Sequence, residues 1–94
     1  MLTKVILQGF IVVPHSDLEA VKAELKTHKK LTLAEDGCLI FEVEPDDNNL
    51  NKFNVYEEFI NQSAFDNHQA RAKSSKWGEV TQNVERHYQI SCCE

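Results

Sequence analysis

Residues 3–13 read TKVILQGFIVV and are apolar on both parities of an extended chain. Val5, Leu7, Ile11 and Val13 fall on one face; Ile6, Gln8, Phe10 and Val12 fall on the other. Side chains of a strand alternate between faces, so a strand apolar on both must be covered on both. A chain of 94 residues, 41% hydrophobic and 27% charged, has room for one domain and one layer of helices. The second face therefore needs a cover from outside the protomer, and a second copy of the chain is the simplest one. Gly9, in mid-strand, predicts a bulge or a close approach of neighbouring backbone.

Pro14 ends this strand, and Ser16-Asp17-Leu18-Glu19 reads as a capping box with Ser16 as N-cap and Glu19 reaching back. The helix that follows carries Leu18, Val21, Leu25 and His28 on one stripe, with Lys22, Lys26, Lys29 and Lys30 on the outer face. His28 is expected at the boundary near the helix C-terminus. After the Asp36-Gly37 turn, 38–44 form a strand with Leu39, Phe41 and Val43 on one face and Cys38, Ile40 and Glu42 on the other. Pro45 to Asn49 make a hairpin tip, and 53–59 return as a third strand. Asn61 caps a second helix whose inward stripe is Ala64, Phe65, His68 and Ala72. A short turn over 77–82 precedes a last strand at 84–90, and 91–94 are left as a tail. The order is βαββαβ, the ferredoxin-like α+β arrangement: a four-stranded antiparallel sheet with two helices on one face. Residues 1–94 are thus one domain with its core at about 3–90.

A formal charge of −5 disfavours nucleic acid and anionic membranes, which need clustered cations. No apolar run approaches the roughly 20 residues that span a bilayer, and the N-terminus reads as strand rather than signal peptide. Three cysteines, Cys38, Cys92 and Cys93, make an odd set with two adjacent. That argues against a disulfide framework and for a reducing, cytoplasmic setting. Nor do these thiols and the scattered His15, His28, His68 and His87 show metal-ligand spacing, so no metal is expected.

The candidates for chemistry are His68 and Glu57. His68 lies on the apolar stripe of its helix, and an imidazole accepts a proton close to neutrality. Glu57 has the parity of Phe53, Val55 and Phe59, so it is a carboxylate set into an apolar face. Such a group is costly unless paired, and His68 is its obvious partner. Together they are expected to act as orienter and general base. A satisfied core histidine and a glutamate reaching water at the strand end are the plain alternatives. Phe59, Phe65 and Trp77 are candidates for an aromatic substrate slot, though a plain core role suits each of them better when taken singly. Tyr56, a further substrate-binding candidate, shares its parity with Asn54 and Glu58 and faces the other way, toward the partner copy. Arg86 and Tyr88 share a parity on the last strand, where either could bind an acidic or phenolic oxygen.

Three segments in this order carry a resemblance: Glu35-Asp36-Gly37-Cys38, Tyr56-Glu57-Glu58-Phe59 and Ser63-Ala64-Phe65-Asp66-Asn67-His68. Over residues 3 to about 90 the chain resembles the antibiotic biosynthesis monooxygenase family of dimeric α/β barrels. The resemblance implies a homodimer built sheet to sheet. It further implies oxygenation of a small quinol, phenol or polyketide-like aromatic without metal or flavin, molecular oxygen being the co-substrate. Other members process a carbonyl signalling metabolite, and a dimeric binding protein without turnover is a further alternative. A haem-degrading branch uses an Asn on the first strand and a Trp followed by a His. Here the strand offers Gln8 and His68 precedes Trp77, which argues against haem.

Overall fold

A strand apolar on both faces belongs in the interior of a sheet, and the first strand lies there. The computed structural model describes residues 3–93, the side chain of Cys93 excepted. In chain order the elements are β1 (Lys4–Val12), α1 (Leu18–Leu33), β2 (Cys38–Pro45), β3 (Lys52–Phe59), α2 (Gln62–Ser74), α3 (Lys76–Val80) and β4 (Glu85–Cys93). The strands order as β2-β3-β1-β4, every neighbour antiparallel. Register pairs Leu7 with Glu57 and Ile90, and Glu57 in turn with Phe41.

One face of the sheet and the helices share the core. Val5, Leu7, Ile11, Phe41, Val43, Phe53, Val55 and Phe59 are buried there with Leu18 and Val21 of α1 and Phe65 of α2. On the other face Ile6, Phe10, Val12 and Ile40 remain half-buried within the protomer. Phe10 stacks on His87 with ring centroids 4.5 Å apart, and the Lys52 ammonium sits 4.3 Å from the Phe10 ring.

Gly9 resolves in favour of close approach, because the register runs unbroken through it on both sides. Its φ is +149°, and a Cβ there would lie 1.8 Å from the carbonyl oxygen of His87. At the helix exit, Gly37 takes φ +89°, a conformation glycine adopts freely, and its carbonyl accepts from the Ile60 N–H at 2.8 Å. Asn61 caps α2 as expected, its Oδ1 accepting from the Ala64 N–H at 2.8 Å.

In its strands, turns and caps the structure departs from the sequence expectations at four places. The capping box does not form: Pro14 leads into a 3-10 turn over His15–Asp17, and α1 starts at Leu18 with no side-chain cap. The Asp17 N–H bonds the Pro14 carbonyl at 2.9 Å, which draws Ser16 into the turn and away from the cap position. On β2, Cys38 pairs with Phe59 and Ile40 with Glu58, so residue 39 is supernumerary. This irregularity turns Leu39 out to solvent and brings Cys38 against the core. Residues 76–80 form the helix α3, packed against α1 and α2, where a turn was expected. Ser91 to Cys93, expected as tail, extend β4 to the start of β1, Cys93 pairing with Lys4; Glu94 lies outside the described residues.

Candidate functional site

The helical period carries α1's buried stripe from Leu18 and Val21 to His28 and Thr32. The helix thus continues past His28, which lies in the interior at 3% exposure and not at the boundary. On α2 the same period buries Phe65 and His68 and leaves Arg71 half-buried, three residues on from His68. Strand parity puts Glu57 beneath them at 6% exposure. A cavity of about 430 Å³ opens between these elements, α3 and β4. Its wall includes Glu57, His68, His28, Trp77, Arg86 and Tyr88.

His68 stands between two carboxylates. Its Nδ1 is 2.8 Å from Glu35 Oε1 and its Nε2 is 3.7 Å from Glu57 Oε1. Glu35 already accepts from Arg71, and with its Oε1 accepting from Nδ1 as well the imidazole proton sits on Nδ1 and the Nε2 lone pair is directed toward Glu57. Glu35 is itself clamped by Arg71, whose Nε donates to Oε2 while its Nη2 donates to Thr32 Oγ1 at 2.9 Å. The chain of contacts therefore runs Thr32–Arg71–Glu35–His68 and ends at Glu57.

Burial, and after it the charge of Glu35, pushes the Glu57 carboxyl up to about 7. Burial also lowers His68, against the opposing pull of its hydrogen bond to Glu35. At neutral pH the pair is thus a neutral imidazole facing a carboxyl near its midpoint. Glu57 Oε1 has no hydrogen-bond partner among the described residues, and 3.7 Å to Nε2 is too long for a direct bond. One hydroxyl oxygen about 2.8 Å from both atoms would complete a triangle on that base.

The rest of the wall is aromatic and cationic. Trp77 lies parallel to His28, centroids 4.6 Å apart and planes at 5°. Arg86 closes β4 against α3, its Nη2 donating to the Thr81 carbonyl at 3.2 Å and to Thr81 Oγ1 at 3.1 Å. Burial of the Tyr88 hydroxyl, then the charge of Glu57, pushes its pKa up to about 12, so it remains a phenol donor.

Of the residues singled out from the sequence, His68, Glu57 and Trp77 share this cavity. Phe59 and Phe65 do not line it. They lie behind His68 in the core, Phe59 4.9 Å from the imidazole and 5.6 Å from Phe65 by ring centroids. Tyr56 is on the opposite face of the sheet, its hydroxyl donating to Glu58 Oε2 at 2.5 Å. It borders a shallower depression of about 620 Å³ with Gln8, Phe10 and His87, which lacks the facing carboxylate and imidazole of the inner cavity. Glu35, Arg71 and His28 were missed as site residues. The available signals were the spacing of Arg71 from His68 and the place of His28 on the buried stripe of α1. For Glu35 the only signal was its position just before the turning glycine.

Comparison with known proteins places these observations. A family model for antibiotic biosynthesis monooxygenases matches residues 4–80. Among solved structures, a candidate antibiotic biosynthesis monooxygenase from Deinococcus radiodurans superposes with a TM-score of 0.75 at 24% identity, covering 96% of this chain and 90% of that one. One from Bacteroides thetaiotaomicron gives 0.76 at 21%, covering 94% and 84%. One from Nitrosomonas europaea gives 0.75 at 15%, covering 97% and 86%. At these identities the likeness is one of fold. No curated protein matches the chain.

Proposed function

The chain belongs to the antibiotic biosynthesis monooxygenase family, and from that premise and the cavity we propose a cofactor-independent monooxygenase acting on a small electron-rich phenol or quinol. The observation that carries this reading is Glu57 and His68 side by side in the wall of one cavity, Oε1 3.7 Å from Nε2. The pair takes the hydroxyl proton of the substrate. The resulting phenolate passes electrons to molecular oxygen, and a ring carbon bonds to it as a hydroperoxide. Loss of that carbon's hydrogen, with cleavage of the O–O bond, gives a carbonyl and water. The sum is phenol plus O₂ to quinone plus H₂O, with the two-carboxylate, one-imidazole array receiving and returning protons. Burial strengthens each of these electrostatic contacts.

Oxygen uptake over a panel of phenols and quinols, with ¹⁸O₂ and mass analysis of the product, tests this directly. One labelled oxygen per product molecule and one O₂ consumed is the expected result. A second reading draws on the Glu57 carboxyl near 7, which can both give and take a proton: an isomerase acting beside a carbonyl. Deuterium exchange into a ketone, with no uptake on any panel member, would replace the first reading by the second. Ligand binding with neither activity would leave a small-molecule binding protein.

The active species is proposed to be a homodimer formed through the open sheet face, where Ile6, Phe10, Val12 and Ile40 lie. Light scattering at micromolar concentration should give twice the 10.8 kDa of one chain; the monomer mass would refute it. A reducing, cytoplasmic setting fits Cys38 and Cys92, both free thiols. Among the described residues no helix is long and apolar enough to cross a membrane.

A further inference from the structure

Arg71 lies one helical turn beyond His68 on α2, and both side chains reach the exit of α1, where Thr32 and Glu35 lie. His68 Nδ1 meets Glu35 Oε1 at 2.8 Å, while Arg71 Nε donates to the other oxygen of that carboxylate. The guanidinium is anchored from a second side, because its Nη2 donates at 2.9 Å to the hydroxyl of Thr32, a fully buried residue. Glu35 and Arg71 are themselves partly open to water, their side chains 18% and 29% exposed. An ion pair in such a position adds little stability on its own. What it does constrain is the imidazole.

A neutral imidazole carries one proton and has two nitrogens on which to hold it. Burial lowers the His68 pKa, so at neutral pH the ring is neutral and only the location of that proton is at issue. With Glu35 held at Nδ1 the proton stays there, and Nε2 keeps its lone pair on the side of Glu57. Among the described residues the Glu35 carboxylate bonds to His68 and Arg71 alone. Without the guanidinium it is free to turn to water, and Nδ1 loses a fixed acceptor. The proton then moves to Nε2, drawn by Glu57 3.7 Å away, and that tautomer takes no proton from a substrate at Nε2. A guanidinium suits the task, because its planar fork serves two acceptors in one fixed geometry.

We propose that Arg71 is a positioning residue: by clamping Glu35 it keeps the imidazole proton on Nδ1 and so maintains His68 Nε2 as the proton-accepting atom of the site. It meets no substrate and acts entirely through Glu35. The inference rests on His68 being the base of the reaction proposed above, and it names the residue that selects which nitrogen reacts.

Long-range ¹H–¹⁵N correlation spectra tell the two tautomers of His68 apart without any substrate. At about pH 8, above the ordinary histidine range, the native protein should carry the proton on Nδ1. In Arg71→Met the Nε2-protonated form should appear, and kcat for oxygen uptake should fall at least about tenfold with KM changed less than about threefold. Glu35→Leu should produce the same two changes. In a Glu35→Leu background, Arg71→Met should alter kcat by less than about twofold, because the clamp has nothing left to hold. A native His68 protonated on Nε2 overturns the proposal, as does an unchanged tautomer in Arg71→Met. So does a loss of kcat that recurs undiminished in the Glu35→Leu background. Should Arg71→Met fail to fold by circular dichroism, Thr32→Val takes its place. Lacking only the anchoring hydroxyl, it should show the same tautomer change to a smaller extent, and no change there overturns the proposal. The tautomer change without oxygen uptake by the native protein would sink the oxygenase reading and leave Arg71 its role. Uptake with the tautomer unmoved in Arg71→Met would do the reverse.

Discussion

His68→Asn is expected to lower the maximal rate of oxygen uptake by about 10²–10⁴-fold, the range typical for loss of a general base. Asparagine is the informative replacement, because its amide N–H can still donate to Glu35 where Nδ1 now does, 2.8 Å from Oε1. What disappears is Nε2, the atom that faces Glu57. The loss should therefore fall on kcat with KM changed much less, and the far-ultraviolet circular dichroism should match the native protein. A kcat within about threefold of native would remove His68 from the chemistry and return it to the core.

Replacing Glu57 with glutamine should stabilise the protein at alkaline pH while abolishing most of its activity. The folded-state carboxyl titrates near 7 and the free side chain near 4.5. Between those values the unfolded chain has released a proton that the folded chain still holds. Stability therefore falls as pH rises from 4.5 to 7 and stays reduced above. Glutamine carries no proton to lose, so its advantage over the native protein should grow by about 2 kcal/mol between roughly pH 5.5 and pH 8. Urea melts at the two pH values measure it, and an advantage that does not change with pH would contradict the burial of this charge. His28 acts in the opposite sense. Its folded pKa of about 3 lies below the ordinary 6.5, so its contribution is lost as pH falls from 6.5. Both proteins carry that loss, and it cancels in the comparison.

Strand period made half of this site readable in advance. Alternation alone places Glu57 with Phe53, Val55 and Phe59, and the structure buries all four. Likewise β1, apolar on both parities, could only be an interior strand. The other half depends on how separate elements meet. Glu35 reaches His68 and Arg71 across 33 and 36 residues of sequence, a contact set by the packing of the α1 exit against α2. His28 belongs to the site because α3 brings Trp77 onto it, and no periodicity in α1 encodes that. Phe59 and Phe65 show the converse error, since an apolar stripe does not say whether a ring lines a cavity or lies behind it. Leu39 and Ser16 were misplaced by single-residue events, an extra residue in β2 and a 3-10 turn after Pro14.

Gly9 carries a consequence for anyone surveying this chain by mutagenesis. The carbonyl of His87 occupies the space of a side chain there, so variant libraries should retain one amino acid at that codon. Its neighbours in register are Val55 and Tyr88, the latter a wall residue of the cavity. A screen that scores turnover alone would rank Gly9 beside His68 and Glu57. Measuring soluble yield in parallel separates them, for the glycine variants would be lost from the soluble fraction and the histidine variants would not.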